Sequence, residues 1–150
     1  MDPITVVIAD DHPLFREGLK RIFSFEQDVA VVGEASRGDD VVDIVQSSRP
    51  DVLLLDLKMP KGEVLQTLRE LGEKNPSTKV LVLTAFAEEE NVINVAKSGA
   101  RGFVLKGVDS STLLEAIKKV RAGDVWVGNG VPAAEAFEKI ARLMSSGSAH

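Results

Sequence analysis

Polar residues close four of the apolar runs in this chain: Asp10 and Asp11 after Ile4 to Ala9, Asp56 after Val52 to Leu55, Thr84 after Val80 to Leu83, and Lys106 after Gly102 to Leu105. Gathered in one place, three carboxylates, a hydroxyl and an ammonium can do definite chemistry. Acids packed together repel one another, and their pKa values rise unless a cation intervenes. A hard divalent ion answers that repulsion, and Mg²⁺ suits a site of oxygen ligands that keeps waters and shares its coordination with a phosphate. A carboxylate beside such an ion can accept a phosphoryl group and form an acyl phosphate. Asp56 stands alone at its strand end and is the candidate nucleophile, while Asp10 and Asp11 are better placed to hold the metal. Lys106 would neutralise a phosphoryl oxygen and Thr84 would hydrogen-bond the phosphate, so catalysis would be mostly positioning and charge stabilisation.

Each residue also has an ordinary role open to it. Asp56 can start a turn, Asp10 and Asp11 can cap a helix, Thr84 can end a strand, and Lys106 can be a solvated lysine. Singly, those roles are the commoner ones. The joint pattern decides against them, because it requires all five groups to fall in register at one edge of a sheet.

The elements that would create that register can be read in chain order. Ile4 to Ala9 is a β-branched apolar run, and after His12 and Pro13 the residues Phe15, Leu19, Ile22 and Phe23 lie on one helical face. Val29 to Ala35 reads as a second strand, and Gly38, Asp39 and Asp40 precede a helix marked by Val41, Ile44 and Val45. Val52 to Leu55 is apolar without alternation, as expected of a parallel strand covered on both faces. Helices carrying Val64, Leu68 and Leu71, then Glu88 to Ser98, then Leu113, Leu114, Ile117 and Val120 alternate with the strands Val80 to Leu83 and Gly102 to Leu105. Five strands alternating with five helices predict an α/β fold: a doubly wound, five-stranded parallel sheet in the flavodoxin-like order 2-1-3-4-5, with helices on both faces. Past Gly123 the alternation stops. Val125 to Val127 is a short apolar piece, Pro132 to Met144 reads as an amphipathic helix, and Ser-Ser-Gly-Ser-Ala-His at residues 145–150 is expected to be flexible.

Composition bounds the function. With 150 residues, 44% of them hydrophobic, the chain can bury about 68–70% of its unfolded surface, enough for one core. A net charge of −5 argues against binding a phosphate backbone with this chain alone. There is no cysteine, no apolar run of membrane-spanning length and no signal-peptide pattern at Met1-Asp2-Pro3, so a cytoplasmic protein is expected.

Asp10-Asp11, Asp56-Leu57-Lys58-Met59-Pro60, Leu83-Thr84-Ala85 and Phe103-Val104-Leu105-Lys106 resemble the signature segments of response regulator receiver domains from two-component signalling. The opening Ala9 to Leu19 is similar to receivers whose output is a LuxR-type helix-turn-helix domain. The resemblance covers residues 4 to about 123 and implies a receiver over 1–124, followed by an interdomain linker over 125–150. It implies phosphorylation of Asp56 by a histidine kinase, with catalytic help from Lys106 and Thr84. It further implies Mg²⁺ at Asp10, Asp11, Asp56 and the backbone carbonyl of Lys58, and signalling through Thr84 and Phe103. Homodimerisation on phosphorylation is an expected consequence, as is DNA binding only through an output domain outside this chain, with no membrane partner. The only enzymatic act expected is on the chain's own Asp56. A stand-alone receiver that relays phosphate or binds a protein is the alternative, and an FMN-binding flavodoxin a remote one, disfavoured by Asp10-Asp11 and the lack of tyrosine. Two departures stand out: Lys61 and Val64 occupy positions where the family commonly has glycine, and Gly107 follows the lysine where proline is common.

Overall fold

A computed structural model of the chain describes residues 2–147. Strands β1 (Ile4–Ala9), β2 (Val29–Ala35), β3 (Val52–Leu55), β4 (Lys79–Thr84), β5 (Gly102–Leu105) and β6 (Trp126–Val127) form one parallel sheet in the order β2-β1-β3-β4-β5-β6. The five expected strands lie in the expected order. The sixth was not foreseen: two residues are too few to show a period, and β6 exists because Gly102 and Phe103 of β5 offer it a pairing edge.

Helices α1 (Pro13–Ser24), α2 (Val41–Ser48), α3 (Val64–Lys74), α4 (Glu89–Lys97), α5 (Ser110–Arg121) and α6 (Ala134–Gly147) cover the sheet. Side chains of a strand alternate between faces, so each strand feeds two cores. Val6, Ile8, Val52, Leu54, Leu81 and Leu83 join Leu19 and Phe23 of α1 and Ile117 and Val120 of α5. Val7, Ala9, Leu53, Leu55, Val80 and Val82 join residues of α2, α3, α4 and α6 on the opposite face. Burial on both sides is the reason these strands are apolar throughout.

The second face also takes up the amphipathic helix expected within residues 125–150. Phe137 and Ala141 of α6 are fully buried, and the Phe137 ring meets Phe103 edge-on, with centroids 5.9 Å apart and planes at 77°. The helix expected to begin a linker is packed into the receiver core beside α4. It also runs to Gly147, past the expected end at Met144; the rest of the expected flexible tail, residues 148–150, lies outside the described residues.

The loop between β3 and α3 accounts for the glycine at 62 and makes the lysine at 61 costly. Gly38 donates its N–H to the Pro60 carbonyl at 2.8 Å, which presses two loops together. A Cβ added to Gly62 would stand 2.6 Å from the Gly38 Cα, so glycine is required at 62 by close backbone approach. Lys61 meanwhile holds a left-handed φ of 60°, a conformation that suits glycine better. Lys61→Gly is therefore expected to stabilise the fold by about 1 kcal/mol, whereas Gly62→Ala overpacks the contact and should cost about 1–3 kcal/mol. Thermal unfolding of the two variants checks the pair, and opposite shifts are required.

Candidate functional site

The strand register brings the polar ends together. Ala9 pairs with Leu55 and Leu55 with Val82, so Asp10 and Asp56 follow side by side, with Thr84 just beyond on the next strand. Asp56 N–H donates to the Ala9 carbonyl at 2.9 Å and Lys106 N–H to the Thr84 carbonyl at 2.8 Å, which extends the ladder to these positions. Lys106 reaches back into the same rim from the end of β5.

Asp10, Asp56 and Thr84 are buried. The Thr84 hydroxyl donates to Asp56 Oδ1 at 2.9 Å, and the Lys58 N–H donates to the same oxygen at 3.2 Å. Lys106 Nζ lies 3.2 Å from Asp56 Oδ2 and 2.7 Å from Asp10 Oδ2, so one ammonium bridges two carboxylates. Burial alone would lower the Lys106 pKa and is the largest single influence on it. The hydrogen bonds to Asp10 and Asp56, with their charges, outweigh it and raise the pKa above the ordinary 10.5. A raised lysine pKa means that its contribution to stability is complete below the unfolded value and is lost only as pH climbs through the folded one, in alkali.

Sequence reasoning brought Asp10, Asp11, Asp56, Thr84 and Lys106 to one rim, and the structure places them there. Phe103 is fully buried with its ring against Phe137, and Thr84 already points at Asp56.

Three participants were missed. The His12 ring stands 3.0 Å from Asp10 Oδ1, measured from Nδ1. Phe15 offers its ring face to Lys106 Nζ at 4.4 Å. Arg16 donates to the Asp10 main-chain carbonyl at 2.5 Å and to Glu34 at 3.2 Å. His12 could have been suspected from its place directly after two acids; the other two project from α1 by a geometry that only the fold supplies.

The acidic pocket suits a cation. Asp10, Asp11, His12 and Asp56 each offer a ligand atom, all within 4.8 Å of one another. Asp11 Oδ1 is buried yet takes no hydrogen bond from any described residue. A buried carboxylate oxygen without a donor calls for a positive partner.

Residues 6–118 match the model of the response regulator receiver domain. The chain belongs to that family. Over 124 residues it is 42% identical to the transcriptional regulatory protein DegU of Brevibacillus brevis, covering 83% of this chain and 52% of the relative. The nitrate/nitrite response regulator protein NarL of Escherichia coli (strain K12) is 40% identical, with 83% and 57% covered. The crystal structure of a LuxR-family two-component response regulator from Aurantimonas sp. SI85-9A1 superposes with a TM-score of 0.81 at 25% identity, covering 92% of this chain and 99% of that one. This receiver is of the NarL/LuxR type and spans about half the length of the curated relatives it matches. Among the described residues no helix is long and apolar enough to cross a membrane.

Proposed function

We propose that the receiver accepts a phosphoryl group on Asp56 from a histidine kinase in the cytoplasm and that the charge added there changes the surface it offers to partners. The observation that carries this is the placement of the Asp56 carboxylate: buried beside Asp10, with a hydroxyl and an ammonium already aimed at its two oxygens. A carboxylate oxygen of Asp56 attacks phosphorus, the bond from phosphorus to the donor's imidazole nitrogen breaks, and its electron pair stays on that nitrogen. The product is an acyl phosphate on Asp56. Lys106 and Thr84 each lose a contact to the carboxylate and gain one to a phosphoryl oxygen, so the donors stay in place while the charge moves outward.

Asp10, Asp11, Asp56 and the Lys58 carbonyl would hold Mg²⁺. When bound, the ion neutralises phosphoryl oxygens during transfer. Asp10 and Asp11 keep the negative charge that retains it, and Lys106 limits the repulsion between Asp10 and Asp56. We read the chain as acting on no substrate but its own Asp56. The relatives' descriptions as regulators support its being the input domain of a transcription factor, which would bind DNA through a separate output domain and dimerise on phosphorylation.

Incubation with Mg²⁺ and a small acyl phosphate donor tests the reading by intact-mass measurement. One added phosphoryl group is expected, and none in excess chelator. An unchanged mass in Mg²⁺ would sink the phosphoacceptor role, and transfer at full rate in chelator would remove the metal from it.

A further inference from the structure

We propose that His12 is a further ligand of the cation in the acidic pocket, and that it tunes the site toward transition ions that accept nitrogen ligands. The inference rests on the phosphoacceptor reading and adds a residue that the carboxylates do not require. His12 precedes Pro13, the first residue of α1, in an extended conformation with φ −93° and ψ 104°. Its N–H donates to Asp10 Oδ1 at 2.8 Å, which fixes the backbone against the pocket. The ring is not spent on capping the helix. It stands instead with Nδ1 at 3.0 Å from Asp10 Oδ1 and 3.4 Å from Asp11 Oδ1, the latter being the buried oxygen without a hydrogen-bond donor. Neighbouring ligands around a six-coordinate ion with bonds of about 2.0–2.1 Å are spaced about 3 Å apart, so the ring and the Asp10 carboxylate, hydrogen-bonded at 3.0 Å, need little movement to share one ion. The Lys106 ammonium also lies 3.3 Å from Nδ1.

Carboxylate and carbonyl oxygens suit Mg²⁺ and Mn²⁺, whereas imidazole suits Ni²⁺, Zn²⁺ and Cu²⁺. Any mixed site favours Ni²⁺ over Mg²⁺ to some degree, so raw preference decides nothing. The informative quantity is how that preference changes when the imidazole goes. A plain ion pair between His12 and Asp10 predicts a different outcome, because losing it perturbs the pocket for every ion alike.

The experiment is calorimetric titration of the full chain with Mg²⁺ and with Ni²⁺. It is done on a His150→Ala background, because His150 is the other of the two histidines. Asparagine is a good N-cap, so His12→Asn should fold, and its thermal midpoint is recorded as a check. A lost ligand costs at least what a lost outer-shell partner does, so Ni²⁺ affinity is expected to fall about 10–100-fold in His12→Asn while Mg²⁺ affinity stays close to that of the parent. Asp11→Asn should weaken both ions. Equal losses for Mg²⁺ and Ni²⁺ in His12→Asn, or no loss for Ni²⁺, overturn the proposal while leaving the phosphoacceptor reading intact. Undiminished Ni²⁺ binding in Asp11→Asn also overturns it, since the histidine would then be binding nickel on its own. A parent chain that binds no Mg²⁺ removes the Mg²⁺ site itself, and His12 with it.

Discussion

Asp56→Asn is expected to abolish phosphoryl uptake from an acyl phosphate under conditions that load the parent chain fully. The amide is close to the carboxylate in size and its oxygen can still accept from Thr84, so the pocket should keep its shape. What disappears is the negative, nucleophilic oxygen. The change also removes one of the two carboxylates that share the Lys106 ammonium, and with it part of the repulsion inside a buried acidic cluster. The variant should therefore fold at least as stably as the parent while failing to react, a combination that separates lost chemistry from lost structure. Equal phosphoryl mass in Asp56→Asn and parent would move the acceptor to another residue.

The second large effect belongs to stability. Phe137→Ala should cost about 3–5 kcal/mol, because a fully buried aromatic is replaced by a cavity. The edge-on contact with Phe103 accounts for ~0.5–1.5 kcal/mol of that loss. Against a total stability of about 5–15 kcal/mol that is a major fraction, and for a chain of this size the melting midpoint should drop by roughly 10 °C or more. Leu143→Ala on the same helix is the control: Leu143 is 70% exposed, and its removal should change stability by no more than about 0.5 kcal/mol. If the two variants melt alike, α6 is not part of the cooperative core.

The sheet was legible because its strands are buried on both faces and so lack alternation; Val52 to Leu55 shows this most plainly. The site was legible for a related reason. Parallel strands in one sheet end at one rim, so a polar residue closing each run falls beside its neighbours without any knowledge of side-chain geometry. Amphipathicity told that Pro132 to Met144 has a face to bury, but a helical period carries no information about what that face will meet. Hence α6 was read as a linker, and its docking against α4 came only from tertiary structure. Gly62 lies between the two departing positions, Lys61 and Val64. Its reason, contact with the Gly38 backbone, depends on two loops well separated in sequence. Lys106 was foreseen as a charge, while the ring of Phe15 beneath it was read only as part of a core-facing stripe.

The pairing of Phe103 with Phe137 also bears on how the molecule is made. Core residues from the N-terminal strands are synthesised early, but the side chain that closes the β5 and α4 face comes from the last helix. At ~5–20 residues per second, several seconds separate the synthesis of Phe103 from that of Phe137, and during that interval the nascent chain carries an unfilled apolar surface. Chaperones, or a second nascent chain, can reach that surface before α6 does. The acidic rim, built from residues no later than Lys106, can assemble while the opposite margin of the sheet is still waiting for its final side chain.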